Sequence, residues 1–146
     1  MQKMEFKVLI NTPAEKVWNI LWGDESYPQW TSVFSESSRV ETDWNEGSKA
    51  LFLDGKGQGM VSIIAEKKQN QFMSFKHIGV VNNGVEELDS SKTKGWAGAL
   101  ENYTLKALEG KTELRVDIDT VEEYKDYFFE TWPKALEKVK ELAEQK

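Results

Sequence analysis

Residues 2–18 read Gln2-Lys3-Met4-Glu5-Phe6-Lys7-Val8-Leu9-Ile10-Asn11-Thr12-Pro13-Ala14-Glu15-Lys16-Val17-Trp18, and two periodicities meet inside them. Met4, Phe6, Val8 and Ile10 fall on one face of an extended chain, with Glu5, Lys7 and Asn11 on the other. Period two over that length predicts a strand with one buried face. Thr12-Pro13-Ala14-Glu15 then offers an N-cap, a proline at the first helical position and a glutamate at the third, the pattern of a capping box. Val17, Trp18, Ile20 and Leu21 make a short apolar helical face behind it, ended by Gly23-Asp24. A second short helix is expected from Pro28 to Phe34, carrying Trp30 and Phe34 four apart.

Outward from this unit, the chain from Ser37 to Thr120 reads as strands and turns. Ser38–Thr42 is followed by a turn at Asn45-Glu46-Gly47 and by Lys49–Leu53. The glycine-rich segment Asp54–Gly59 turns into Met60–Lys67, and Lys68-Gln69-Asn70 turns into Gln71–Val80. The last hairpin joins Trp96–Leu108 to Thr112–Thr120 through Glu109-Gly110-Lys111. Short turns between consecutive strands favour an antiparallel meander over crossovers. The long gap from Val81 to Gly95 is expected to be a surface loop, and such loops are often functional. Few large apolar residues anchor it (Val85 and Leu88), so a mobile lid beside a pocket mouth is one expectation and a plain connector the other.

The chain closes on an amphipathic helix from about Glu122 to Gln145. Phe128, Trp132, Leu136, Val139 and Ala143 recur at three- and four-residue spacing with lysine and glutamate between them. Pro133 predicts a kink or a restart there, because proline removes one backbone bond and crowds the preceding turn. The order is one strand, two short helices, about six strands and one long helix. That is an α+β arrangement, a single domain over 1–146, in which a sheet face must cover the helix.

Composition narrows the function. The 146 residues carry a net charge of −6, no cysteine and one histidine, with 7 Phe, 6 Trp and 4 Tyr. Disulfides, zinc–cysteine sites and thiol nucleophiles are excluded, and a two-histidine zinc motif with them. The negative balance argues against nucleic acid as a partner, since phosphate binding needs a positive field. Apolar runs such as Ala50–Leu53 are far too short to insert in a bilayer. With no basic-then-apolar leader before Met4, a cytoplasmic location is expected. Neither a cofactor nor a metal is expected.

Four stretches carry a resemblance. Ile10-Asn11-Thr12-Pro13-Ala14-Glu15-Lys16-Val17-Trp18 resembles the strand, cap and first helix of the SRPBCC (START-like, Bet v 1-like) superfamily, and Tyr27-Pro28-Gln29-Trp30 its second-helix tryptophan. Gly57-Gln58-Gly59-Met60-Val61 resembles its glycine-bearing central strand. Thr131-Trp132-Pro133-Lys134-Ala135-Leu136-Glu137-Lys138-Val139 resembles the last-helix motif, with Thr131 where a glycine is usual. Within the superfamily the chain is most similar to bacterial proteins like the heat-shock-protein-90 ATPase activator. The resemblance implies a helix-grip fold: a curved antiparallel sheet of about seven strands wrapped on the last helix, leaving a cavity for a hydrophobic ligand.

Strand parity and helical spacing, placed on that implied pocket, nominate Phe6 and Val8 from the first strand and Trp30 and Phe34 from the second helix. Phe75 and His77 follow from the fifth strand, Tyr103 from the sixth, and Phe128 and Trp132 from the last helix. A parity error of one residue would turn every strand member outward. His77 can donate, accept or change charge, so it could read a ligand's polar end; it could equally be satisfied by a neighbour or lie at the rim. Glu101 shares its face with Tyr103 and could serve as an acid or base if buried, or sit in water at the open end of the sheet. Trp18, Trp22 and Trp96 are aromatic enough to wall a cavity or to be plain core. Gly55, Gly57 and Gly59 lack a following G-K-[ST] and read as a turn, not a phosphate loop. Glu86-Glu87 and Asp89 lack calcium-loop spacing. Ser62 and Ser74 show no spaced triad partner set with the histidine. The sequence therefore supports a binder of a small hydrophobic or amphipathic molecule. A protein-interaction module of co-chaperone type and a cyclase- or hydrolase-like enzyme stand as alternatives. A cavity of several hundred Å3 favours the ligand; a filled core favours a protein partner.

Overall fold

The computed structural model describes residues 1–88 and 97–145. Strand β1 (Gln2–Ile10) leads into α1 (Ala14–Trp22) and α2 (Ser26–Thr31). Then come β2 (Arg39–Glu41), β3 (Lys49–Leu53), β4 (Gln58–Lys68), β5 (Phe72–Asn82), β6 (Val85–Glu87), β7 (Leu100–Leu108) and β8 (Lys111–Thr120). A 3-10 turn at Glu122–Tyr124 opens α3 (Lys125–Glu144). Among the described residues the strands form one open antiparallel sheet in the order β1-β8-β7-β5-β4-β3-β2, with β6 added to β5. The arrangement is the α+β helix-grip: α3 lies against β1 and both short helices.

The β1 alternation lands as the residues dictate. Met4, Phe6, Val8 and Ile10 turn toward the core opposite Ile118, Val116, Leu114 and Thr112 of β8. From α3, Trp132, Leu136, Val139 and Ala143 are buried against them. Val17 and Leu21 of α1, with Ile64, Met73 and Phe75 of the sheet, complete a continuous core. Each fully buried aliphatic side chain of this kind contributes roughly 1.5–3 kcal/mol.

Local expectations fail in informative ways. The capping box does not form: Pro13 is the N-cap of α1, and no side chain caps it. Thr12 is drawn into the sheet junction instead, its N–H donating to Ile10 O at 2.9 Å and its carbonyl accepting the Thr112 hydroxyl at 2.8 Å. The second helix sits earlier than Pro28 to Phe34. It is pinned by the Trp30 indole N–H, which donates to Leu21 O at 3.0 Å at the end of α1. Pro133 does not split α3, which runs unbroken through it. Pro133 and Phe129 are both exposed, so the carbonyl left without its helical donor faces water.

The gap expected as a loop from Val81 to Gly95 begins as a hairpin. Val81 and Asn82 still belong to β5, Asn83 and Gly84 adopt positive φ (51° and 80°), and Asn82 pairs with Val85 of β6. This is the two-residue Asn-Gly turn that the twist of a hairpin favours. The lid expectation and Trp96 otherwise lie outside the described residues. Two bulges shape the sheet: Ile78 of β5 and Ala65 of β4 have no opposite residue in the β4–β5 pairing. Beyond Ile78 the parity of β5 therefore changes. No helix among the described residues is long and apolar enough to cross a membrane.

Candidate functional site

Between α2, the start of α3 and the inner face of the sheet lies a cavity of about 500 Å3. Trp30, Phe34, His77, Tyr103, Phe128 and Trp132, six of the nine residues nominated from the sequence, form part of its wall. Phe6, Val8 and Phe75 lie on the inward face but off this wall. Phe6 stacks behind Trp132 with centroids 6.2 Å apart and planes at 23°. Val8 is half-buried and packs against the core from β1. Phe75 is completely buried between Phe52 (4.9 Å) and Trp22 (5.4 Å). Phe6 and Phe75 stop in the core because rings from α1, α3 and β3 fill the space above them. Trp18 and Trp22 are core as well, beside a smaller depression of about 230 Å3 that they share with Trp44 and Met73.

The polar end of the cavity is built from a cross-strand line. Ser62 of β4 pairs with His77 of β5, where the Ile78 bulge resets the register. On the other side His77 continues the backbone ladder, its N–H donating to Ala99 O and its carbonyl accepting from Gly98 N, both at 2.9 Å. The imidazole is thus held between β4 and β7. Its Nδ1 lies 2.6 Å from Ser62 Oγ and its Nε2 3.2 Å from Glu101 Oε1, while the Tyr103 hydroxyl donates to Glu101 Oε2. With Nε2–H donating to Glu101 and Nδ1 bonded to the Ser62 hydroxyl, both ring nitrogens are satisfied. His77 is 8% exposed and is satisfied by neighbours while still facing the cavity. Glu101 does not sit out in water at an open sheet end, since its side chain is 21% exposed.

Ser62, His77 and Glu101 have the residue types of a hydrolytic triad but not its access. Ser62 is completely buried and off the cavity wall, so its hydroxyl orients the ring and cannot meet a substrate. Each Glu101 oxygen accepts one bond in the line and keeps a lone pair for a donor from the cavity. Two phenols share this end. Burial first, then the negative charge of Glu101, pushes Tyr103 and Tyr27 well above the ordinary phenol range, a hydrogen bond from Ser38 partly offsetting this for Tyr27. Both phenols therefore stay protonated donors.

Sequence reasoning weighed Ser62 and set it aside, and did not nominate Tyr27, Asp54 or Asp119. Ser62 shares its strand's inner parity with Ile64, and a lone hydroxyl on an apolar face is a signal for a buried partner. Tyr27 lies in a quoted motif, three residues before Trp30, a spacing that puts both on one helix face. Asp54 and Asp119 sit at strand ends that border the cavity.

Comparison with known proteins places this geometry. The family model described as activator of Hsp90 ATPase homolog 1-like protein matches residues 11–144. Among solved structures, the Aha1 dimer from Colwellia psychrerythraea has a TM-score of 0.75 at 16% identity, covering 99% of this chain and 97% of that one. ChR145 from Cytophaga hutchinsonii has a TM-score of 0.70 at 22% identity, covering 99% and 94%. CalU16 from Micromonospora echinospora has a TM-score of 0.68 at 14% identity, covering 97% and 76%. At these identities the likeness is one of fold. No curated protein matches the sequence. With the family model spanning nearly its whole length, the chain belongs to the family of activator of Hsp90 ATPase homolog 1-like proteins.

Proposed function

We propose that this protein binds one small hydrophobic or amphipathic molecule in the cavity between α3, α2 and the sheet, in the cytoplasm. The observation that carries the reading is the cavity itself: about 500 Å3 lies inside the range of sites that enclose a small ligand, roughly 300–1,000 Å3. Trp30, Phe34, Phe128 and Trp132 supply apolar wall, while His77 and Tyr103 supply the polar end. Phe6 and Phe75 act from behind by fixing the rings of Trp132 and Tyr103, and Val8 packs the core beneath them. Native mass spectrometry of the purified protein tests this. A co-purified mass released on denaturation is expected. A bare protein whose tryptophan emission also ignores a panel of hydrophobic probes overturns the reading.

A protein partner is the second reading, favoured by one observation. Tyr124 and Tyr127 at the start of α3 are 50% and 45% exposed and flank the Phe128 ring, an exposed aromatic group that solvent alone does not stabilise. Tyr124 and Tyr127 also border the cavity, so a partner docking there would cover its mouth.

A further inference from the structure

We infer that the molecule taken by this cavity carries a positive charge: a hydrophobic amine or quaternary ammonium, not a fatty acid or a phosphate ester. This rests on the ligand-binding reading above and specifies its chemistry. Among the described residues the wall holds three acidic residues, Asp54, Glu101 and Asp119, and neither lysine nor arginine; Glu101 shares the inward face with Ile118, whereas Asp119 lies opposite Lys3 on the outward parity of β8. None of the three makes an ion pair with lysine or arginine among the described residues. Their hydrogen-bond partners are backbone N–H groups, a phenol and the His77 ring. Asp54 Oδ1 accepts the backbone N–H groups of Lys56 at 2.7 Å and Gln58 at 3.1 Å, and Asp119 Oδ2 accepts that of Leu100 at 3.0 Å. Glu101 accepts from His77 and Tyr103.

Backbone and phenol donors fill lone pairs and orient carboxylates, but they leave the negative charge in place. Beside the phenols and the unpartnered indole N–H of Trp132, the cavity wall presents carboxylate acceptors and negative potential to whatever enters. A carboxylate or phosphate would lose its water and gain no cation in return. An ammonium would meet the Glu101 carboxylate at one end and ring faces along the rest. Tyr27, Trp30, Tyr103 and Trp132 lie in that wall, and a cation over such a face within about 6 Å is attracted by the ring quadrupole. The phenols of Tyr27 and Tyr103 feel the same field, since the charge of Glu101 opposes their ionisation.

The test uses three probes with one body: naphthylmethyl-trimethylammonium, naphthylmethanol and naphthoate, titrated calorimetrically into the full chain at neutral pH. The ammonium is expected to bind tightest, with the naphthoate at least tenfold weaker. Glu101→Gln, with Asp54→Asn as an independent second variant should the first misfold, is expected to shrink the gap between ammonium and alcohol several-fold. Equal binding of all three probes, or preference for naphthoate, overturns the charge inference while the binding reading stands. No binding of any probe overturns the binding reading and this inference with it.

Discussion

Ser62 holds His77 from behind: its hydroxyl lies 2.6 Å from Nδ1, yet the serine itself is completely buried and takes no part in the cavity wall. The histidine's orientation toward Glu101 therefore depends on a residue that no ligand can touch. Ser62→Ala should leave Nδ1 without its partner and destabilise the fold by about 1–3 kcal/mol, the cost of a buried polar atom left unsatisfied. Urea unfolding measures it. A loss below a few tenths of a kcal/mol would mean the imidazole finds another donor.

The second prediction concerns the stacked pair Phe6 and Trp132, which ties the first strand to the last helix. Trp132 is 4% exposed and also touches Phe34, Trp30 and Tyr103. Trp132→Ala should cost about 3–5 kcal/mol. Phe6→Ala, at a half-buried site, should cost about half as much. Thermal denaturation followed by circular dichroism would rank the two, and the opposite ranking would contradict the packing described.

Alkaline pH offers a third test. The buried phenols of Tyr27 and Tyr103 have pKa values raised above 10 in the folded chain. Their contribution to stability is complete below pH 10 and is lost as pH rises from there toward the folded values, because the unfolded chain releases those protons first. The slope is at most about 1.4 kcal/mol per pH unit for each phenol. In a Tyr124→Phe, Tyr127→Phe double variant, tyrosinate absorbance should appear only together with unfolding. Absorbance that grows while the fold persists would show the phenols reachable by hydroxide.

Gly59 borders the cavity where β3 and β4 pair. A Cβ there would stand 2.1 Å from the Phe52 carbonyl oxygen and 3.1 Å from Leu53 Cα. Those are backbone atoms of a paired strand, so they cannot step aside without opening the ladder. Gly59→Ala should destabilise by about 1–3 kcal/mol, as overpacking does, and should alter probe affinity as well. Equilibrium unfolding at matched protein concentration reads the first effect and titration with a naphthyl probe the second.

The fold was legible because it is written in long-range periodicity. Period two in β1, strand–turn alternation through the middle, and the Trp132-Leu136-Val139-Ala143 stripe each survive local error. The inward parity of Phe75, His77 and Tyr103 was legible for the same reason. What stayed hidden depends on where strands meet. Nothing near His77 in sequence marks Ser62, fifteen residues away, as its neighbour, because an unpaired Ile78 sets that register. Thr12 looked like a cap until Thr112, a hundred residues later, captured its carbonyl. Asn83-Gly84 is the opposite case: the hairpin signal was present, and the length of the surrounding gap outweighed it.

The bulge at Ile78 also bears on how such a protein can diverge. It divides β5 into a lower part, where Met73 and Phe75 pair with β7 and lock into the core, and an upper part, where Val80 borders the cavity and pairs with β4 and β6. Exchanging Val80 or its cross-strand partner Met60 changes the hollow without disturbing the register below. A lineage can thus retune what it accommodates by swapping two side chains while the scaffold stays fixed. That is one physical route by which folds as similar as this chain and its neighbours persist at 14–22% identity.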